Sequence, residues 1–168
     1  MMTTTAGTTA TAEAELRRWL ARLAPATQAR LRAMRSALRK RFPTANELAY
    51  DYGHSIVLTY APSERGIEGI ASLSVRGEDV SLVFNNGPAL PDPTRLLRGS
   101  GRMTRHIMLE SARTLAQPEV KALLAAAVQL SAVPLPATGK GALIIRPTAA
   151  AKRAGRTTRP RTRRPSST

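Results

Sequence analysis

Cysteine is absent from the chain. That excludes disulfides, thiolate zinc sites, iron–sulfur ligation and a cysteine nucleophile. Histidine occurs only as His54 and His106, so a three-histidine metal site is excluded, and neither residue stands in an H-x-x-E-H type of spacing. Acidic residues are few, 11 against 26 Lys and Arg, which disfavours a carboxylate-rich site for a hard metal. No run approaches the ~20 apolar residues that a bilayer span requires. No G-x-S-x-G elbow is present, since Gly99-Ser100-Gly101 has the wrong spacing. Thr138-Gly139-Lys140-Gly141 resembles a phosphate loop only superficially: the first Gly is missing, and Gly stands where Ser or Thr should follow Lys. With no catalytic constellation recognisable, the expectation is a protein that is not an enzyme.

What is present fits one domain with tails in 168 residues. Residues 1–12 read as a polar, disordered Thr/Ala lead, 13–146 as the folded domain, and 147–168 as a disordered basic tail. The opening MMTTTAGTTATAE lacks the basic and apolar parts of a secretory signal, so a cytoplasmic location and no membrane association are expected. The net charge of +15 is uneven. Residues 1–45 carry nine cations against two acids, residues 46–151 ten against nine, and residues 152–168 seven against none. The bland account is solvated arginine; the functional one is attraction to a polyanion. In the tail, Arg156, Arg159, Arg161, Arg163 and Arg164 are candidates for nonspecific, salt-sensitive nucleic-acid association, without aromatic residues to stack on bases.

Leu16, Leu20 and Leu23 recur at helical spacing within 13–23, beside Trp19. A second helix is expected from Ala26 to Arg41, with Leu31, Met34 and Leu38 on one face and Arg32, Arg35 and Arg39 on another; Phe42-Pro43 closes it. The period then changes to two: Ile56, Leu58 and Tyr60; Ala71, Leu73 and Val75; Val80, Leu82 and Phe84. Asp92-Pro93 reads as the cap and first position of a short helix over 93–98, and Gly99-Ser100-Gly101 ends it. A strand follows over 102–110. A helix opens at Gln117-Pro118 and runs to about Leu130, and Ala142–Arg146 forms one more short strand. The fold class is α+β: an antiparallel sheet covered on one face by N- and C-terminal helices.

The order of these elements, together with Tyr50-Asp51-Tyr52, Ser63-Glu64-Arg65, Gly87, Leu90-Pro91-Asp92-Pro93, Leu96–Gly101, Arg105-His106 and Pro118, resembles the YdhG-like domain family. The likeness spans about 13–146. It departs at Gly53-His54-Ser55, where many relatives carry a Gly-Met-Pro-like bend. The resemblance implies a frataxin-like α/β sandwich in an intracellular protein and names no enzyme activity. Some members are described as frataxin-like iron carriers, so iron is the cofactor under that alternative alone; the carboxylates such a role needs are sparse on the first two helices, which hold Glu13 and Glu15 amid nine cations.

The candidate ligand site combines Tyr50, Asp51, Tyr52, Glu64 and Arg65 with Arg102, Arg105 and His106. Aromatic rings with a few convergent polar groups are the usual form of a ligand pocket. Arg95, Arg98, Arg102, Arg105 and His106 also fall in a window free of acids around Gly99 and Gly101, a composition suited to an anion or an acidic partner. Gly87, Asp92, Pro93, Gly99 and Gly101 are expected to shape the backbone there. The leading expectation is a non-enzymatic module for a small ligand or protein partner, with iron delivery and tail-driven nucleic-acid association as alternatives.

Overall fold

A computed structural model describes residues 5–150. Its elements are α1 (Thr5–Leu20), α2 (Pro25–Arg41), β1 (Asn46–Asp51), β2 (Ile56–Ala61), β3 (Ala71–Arg76), β4 (Asp79–Phe84), β5 (Arg105–Met108), α3 (Ala112–Leu115), α4 (Pro118–Leu130) and β6 (Leu143–Arg146). The fold is α+β, as the change of hydrophobic period implies. One sheet runs β5-β4-β3-β2-β1-β6. Its pairs are antiparallel except β1 with β6, which are parallel.

Alternation along the strands sorts the sheet into two faces. One cross-strand row, Ile145–Ala49–Leu58–Leu73–Leu82–Ile107, spans all six strands. It joins the core shared with Leu16 and Trp19 of α1, Leu31, Met34 and Leu38 of α2, and Val120, Leu123 and Leu124 of α4. Each such leucine contributes about 1.5–3 kcal/mol by leaving water. The adjacent row, Ile144–Leu48–Thr59–Ser72–Val83–His106, faces the other way and is more polar. There Thr59 and Ser72 share a buried hydrogen bond of 2.8 Å. A 3₁₀ turn, Gly66–Glu68, lies over part of this second face, with the Tyr50 hydroxyl against Gly66.

Local chemistry sets the helix ends. Pro25 occupies the first turn of α2, where its missing N–H costs nothing, and the Phe42 N–H closes the helix on the Leu38 carbonyl before Pro43 prevents continuation. The Ser111 hydroxyl accepts the Arg113 N–H and starts the one-turn α3.

Several expectations are corrected. The first helix begins at Thr5, so the part of the lead from 5 to 12 is helical, and Ala12 packs in the core. The expected tail boundary at 147 is also moved: Thr148 is buried, and its hydroxyl donates to the Asp51 carbonyl. Residues 93–98 form no helix. Asp92 does act as a cap, taking the Leu96 N–H at 2.8 Å and the Leu97 N–H at 2.9 Å, but Arg95 adopts φ 54°, which turns the chain away from a helical path. The strand expected over 102–110 is confined to Arg105–Met108, and the helix expected to end at Leu23 ends at Leu20. Two elements were not anticipated, β1 and α3. The tail candidates Arg156, Arg159, Arg161, Arg163 and Arg164 lie outside the described residues.

Candidate anion-binding cleft

The expected ligand residues fall in three separate places. Tyr50 and Tyr52 stack with ring centroids 5.8 Å apart and planes 7° from parallel, on the helix-free face of β1. Burial, then the neighbouring Tyr50, pushes the Tyr52 phenol above its ordinary value. Asp51 points the opposite way and pairs with Arg22 at 2.8 Å, while its other oxygen takes the Gly53 N–H. Glu64 is exposed, and Arg65 pairs at 2.9 Å with Glu68 instead of its neighbour.

Arg105 and His106 lie on β5, four strand positions from β1, or about 19 Å at 4.7–4.9 Å per strand. As successive strand residues they project to opposite faces. The Arg105 guanidinium donates to the carbonyls of Gly101 and Thr104. His106 exchanges backbone hydrogen bonds with Arg98 at 2.8 and 2.9 Å, which seals the sheet edge. Arg102 is exposed in the preceding loop. Of the expected backbone residues, Gly99 has φ 109° and Gly87 is pressed against Arg105; Gly101 has no positive φ. The structure therefore does not bring the tyrosine pair and the Arg105–His106 strand into one pocket.

Another region does converge. The C-terminal half of α2 and the loop 139–142 enclose a cleft of about 640 Å³. Arg32, Arg35, Arg39 and Lys40 line it from the helix, and Lys140 from the loop; Glu47 lies at its base. Parallel pairing of β6 with β1 brings these walls together. The Glu47 N–H donates to the Ala142 carbonyl at 2.9 Å, the Gly141 N–H to Pro43 at 3.0 Å, and the Ala142 N–H to the Asn46 side chain at 3.0 Å. A Cβ on Gly141 would stand 1.6 Å from the Ala45 carbonyl oxygen, so only glycine permits this approach.

The base of the cleft is an ion network. Arg35 takes Glu47 through Nε and Nη2, at 2.9 and 2.7 Å to Oε1, and Glu13 through Nη1 and Nη2, at 3.2 and 2.9 Å. The Tyr60 hydroxyl donates to Glu47 Oε2 at 2.7 Å. The Glu47 side chain is only 4 % exposed, and such a charge is tolerable only when it is paired and hydrogen-bonded. Burial alone would disfavour the Arg35 charge, yet the bonds and charges of Glu47 and Glu13 hold its pKa above the ordinary value. Burial raises the Tyr60 phenol well above its ordinary range, and the Glu47 carboxylate raises it further.

The outer wall differs. Arg39 reaches Glu13 at 3.4 Å, but Arg32, Lys40 and Lys140 enter none of the ion pairs among the described residues. Arg39 and Lys40 also complement the negative end of α2. With five lining cations against Glu47, the cleft suits an anion. Its lining holds no histidine, and its one carboxylate is engaged by Arg35 and Tyr60. No family model, curated protein or solved structure matches the chain.

Two smaller hollows, of about 170 and 270 Å³, are mainly apolar and lack such convergence. Among the described residues no group of three or more His, Asp or Glu is placed to hold a metal ion. Glu13, one of the few acids on the first two helices, is committed to Arg35 and Arg39. No helix among these residues is long and apolar enough to cross a membrane. Sequence reasoning had both halves of the cleft, the Arg32/Arg35/Arg39 stripe and the Thr138–Gly141 loop, but nothing local in either indicates the other.

Proposed function

We propose that the protein is a non-enzymatic binding module whose small ligand is an anion held in the cleft between α2 and the 139–142 loop. One observation carries the reading: Arg32, Lys40 and Lys140 line a cleft of about 640 Å³ and have no acidic partner among the described residues. Uncompensated cations in a concave site attract and orient negative groups, whereas scattered surface arginines contribute little. The cleft volume lies within the ~300–1,000 Å³ typical of small-molecule sites. Membership of the YdhG-like family and a cytoplasmic setting form part of this proposal, supported respectively by the ordered motifs of 50–118 and by the lack of cysteine.

Thermal unfolding of wild type and of an Arg32→Ala/Lys140→Ala variant, with and without citrate, phosphate and pyrophosphate, tests it. A ligand at 100 times its Kd stabilises the folded state by about 2.7 kcal/mol. At ~2–4 °C per kcal/mol, that is a rise of about 5–10 °C. The expected result is such a rise in wild type and its loss in the variant. No rise with any anion, or an equal rise in both proteins, removes the reading.

A further inference from the structure

We infer that the ligand is an organic diphosphate, of the nucleoside-diphosphate type, lying along α2; this rests on the anion-binding reading of the cleft. Charge sets the first limit. Arg35 is satisfied by Glu13 and Glu47, and Arg39 is shared with Glu13, so Arg32, Lys40 and Lys140 are left without an acidic partner among the described residues. A carboxylate supplies one charge. A phosphate monoester supplies about 1.5–2 at pH 7, which still leaves about one cation uncompensated. A second phosphate closes the difference.

Spacing sets the second limit. Arg32 and Arg39 are two helical turns apart, about 10 Å along the axis at 1.5 Å per residue. A diphosphate and its ester link extend along a stripe of that length, whereas a single phosphate would draw both long side chains toward one point. Lys140 is presented from the facing loop, whose position is fixed by two backbone–backbone hydrogen bonds, a third to the Asn46 side chain, and the glycine contact at Ala45. Arginine offers a planar fork and lysine a point charge, the combination that commonly recognises phosphate. The remaining volume, walled by Pro43 and Ala142, exceeds what an inorganic ion needs and leaves room for an organic body.

Isothermal titration of the full chain with ADP, AMP, citrate and inorganic pyrophosphate, in wild type and in Arg32→Ala/Lys140→Ala, tests the inference. Both replaced side chains are exposed and enter none of the ion pairs among the described residues, and the variant's unfolding transition checks that it remains folded. The expected result is that ADP binds at least tenfold more tightly than AMP or citrate, and that the variant loses at least tenfold in ADP affinity. Citrate or AMP binding as tightly as ADP overturns the diphosphate while leaving an anion site. Pyrophosphate binding at least as tightly as ADP overturns the organic body. ADP affinity unchanged in the variant places binding elsewhere, the basic C-terminal residues included, and overturns the site. No binding by any of the four removes both this inference and the anion-binding reading.

Discussion

Two arginine-rich regions of this chain behave in opposite ways. Between 95 and 106 four arginines and a histidine are crowded in sequence, yet they spread along an exposed loop and an edge strand, each satisfied locally or turned to solvent. In the cleft, Arg32, Arg35 and Arg39 on α2 and Lys140 on the far loop are about a hundred residues apart and meet around one hollow. Density along the chain is therefore a poor guide to density in space. The charged face of an amphipathic helix ordinarily meets solvent, and what makes a cleft here is that parallel pairing of β6 with β1 sets the 139–142 loop beside the Arg32, Arg35 and Arg39 face.

The largest expected effect separates the two regions by stability. Arg35→Ala leaves Glu47 buried with only the Tyr60 hydroxyl, and breaking a buried pair in this way costs about 3–5 kcal/mol. Arg105→Ala removes hydrogen bonds to two carbonyls in an exposed loop and costs about 0.5–1.5 kcal/mol or less. Urea unfolding of both variants checks the ranking. Equal midpoints would erase the contrast between a structural network and a solvated loop.

A smaller effect is expected at the loop. In Gly141→Ala the new Cβ meets backbone at Ala45, which cannot rotate away, so the segment holding Lys140 must shift. The cost is about 1–3 kcal/mol, typical of overpacking. Anion binding should fall with it, although no charge has been removed. Retained affinity in a destabilised variant would show that the position of Lys140 is immaterial to the site.

Most of the fold was legible in the sequence, and the omissions have physical causes. Strands β2 to β4 show clean alternation because one face meets the core and the other carries Ser, Thr or Val. β1 does not, since Asn46–Asp51 places Glu47 toward the helices and the apolar Leu48 away from them. A charge at a core position reads as loop until its partner is known, and Arg35 and Glu13 are supplied by two earlier helices. The stretch 93–98 failed for another reason: the Asp92-Pro93 cap is real, but Arg95 leaves the helical region. The candidate site was legible only in halves. Its assembly depends on parallel pairing of β1 with β6, and neither strand's composition names its neighbour.

The least expected effect is on pH dependence, and it distinguishes the inner carboxylates from an open acidic surface. Burial pushes the Glu13 carboxyl up, but the Arg35 hydrogen bonds and charge, with Arg39 and Arg17, outweigh it and hold the pKa below the ordinary glutamate value. A depressed folded-state pKa means that the unfolded chain binds this proton first as pH falls. The contribution of Glu13 is therefore fully present above the ordinary glutamate value and is lost as pH drops through the depressed one. Glu13→Gln should be less stable than wild type near neutrality and should lose less of its stability on acidification, so the two urea midpoints approach each other across that interval. Because the Glu13 side chain is 31 % exposed, solvent screening keeps the difference modest. Parallel pH profiles for the two proteins would mean that Arg35 is held by Glu47 alone and that the α1 carboxylate only decorates the rim of the cleft.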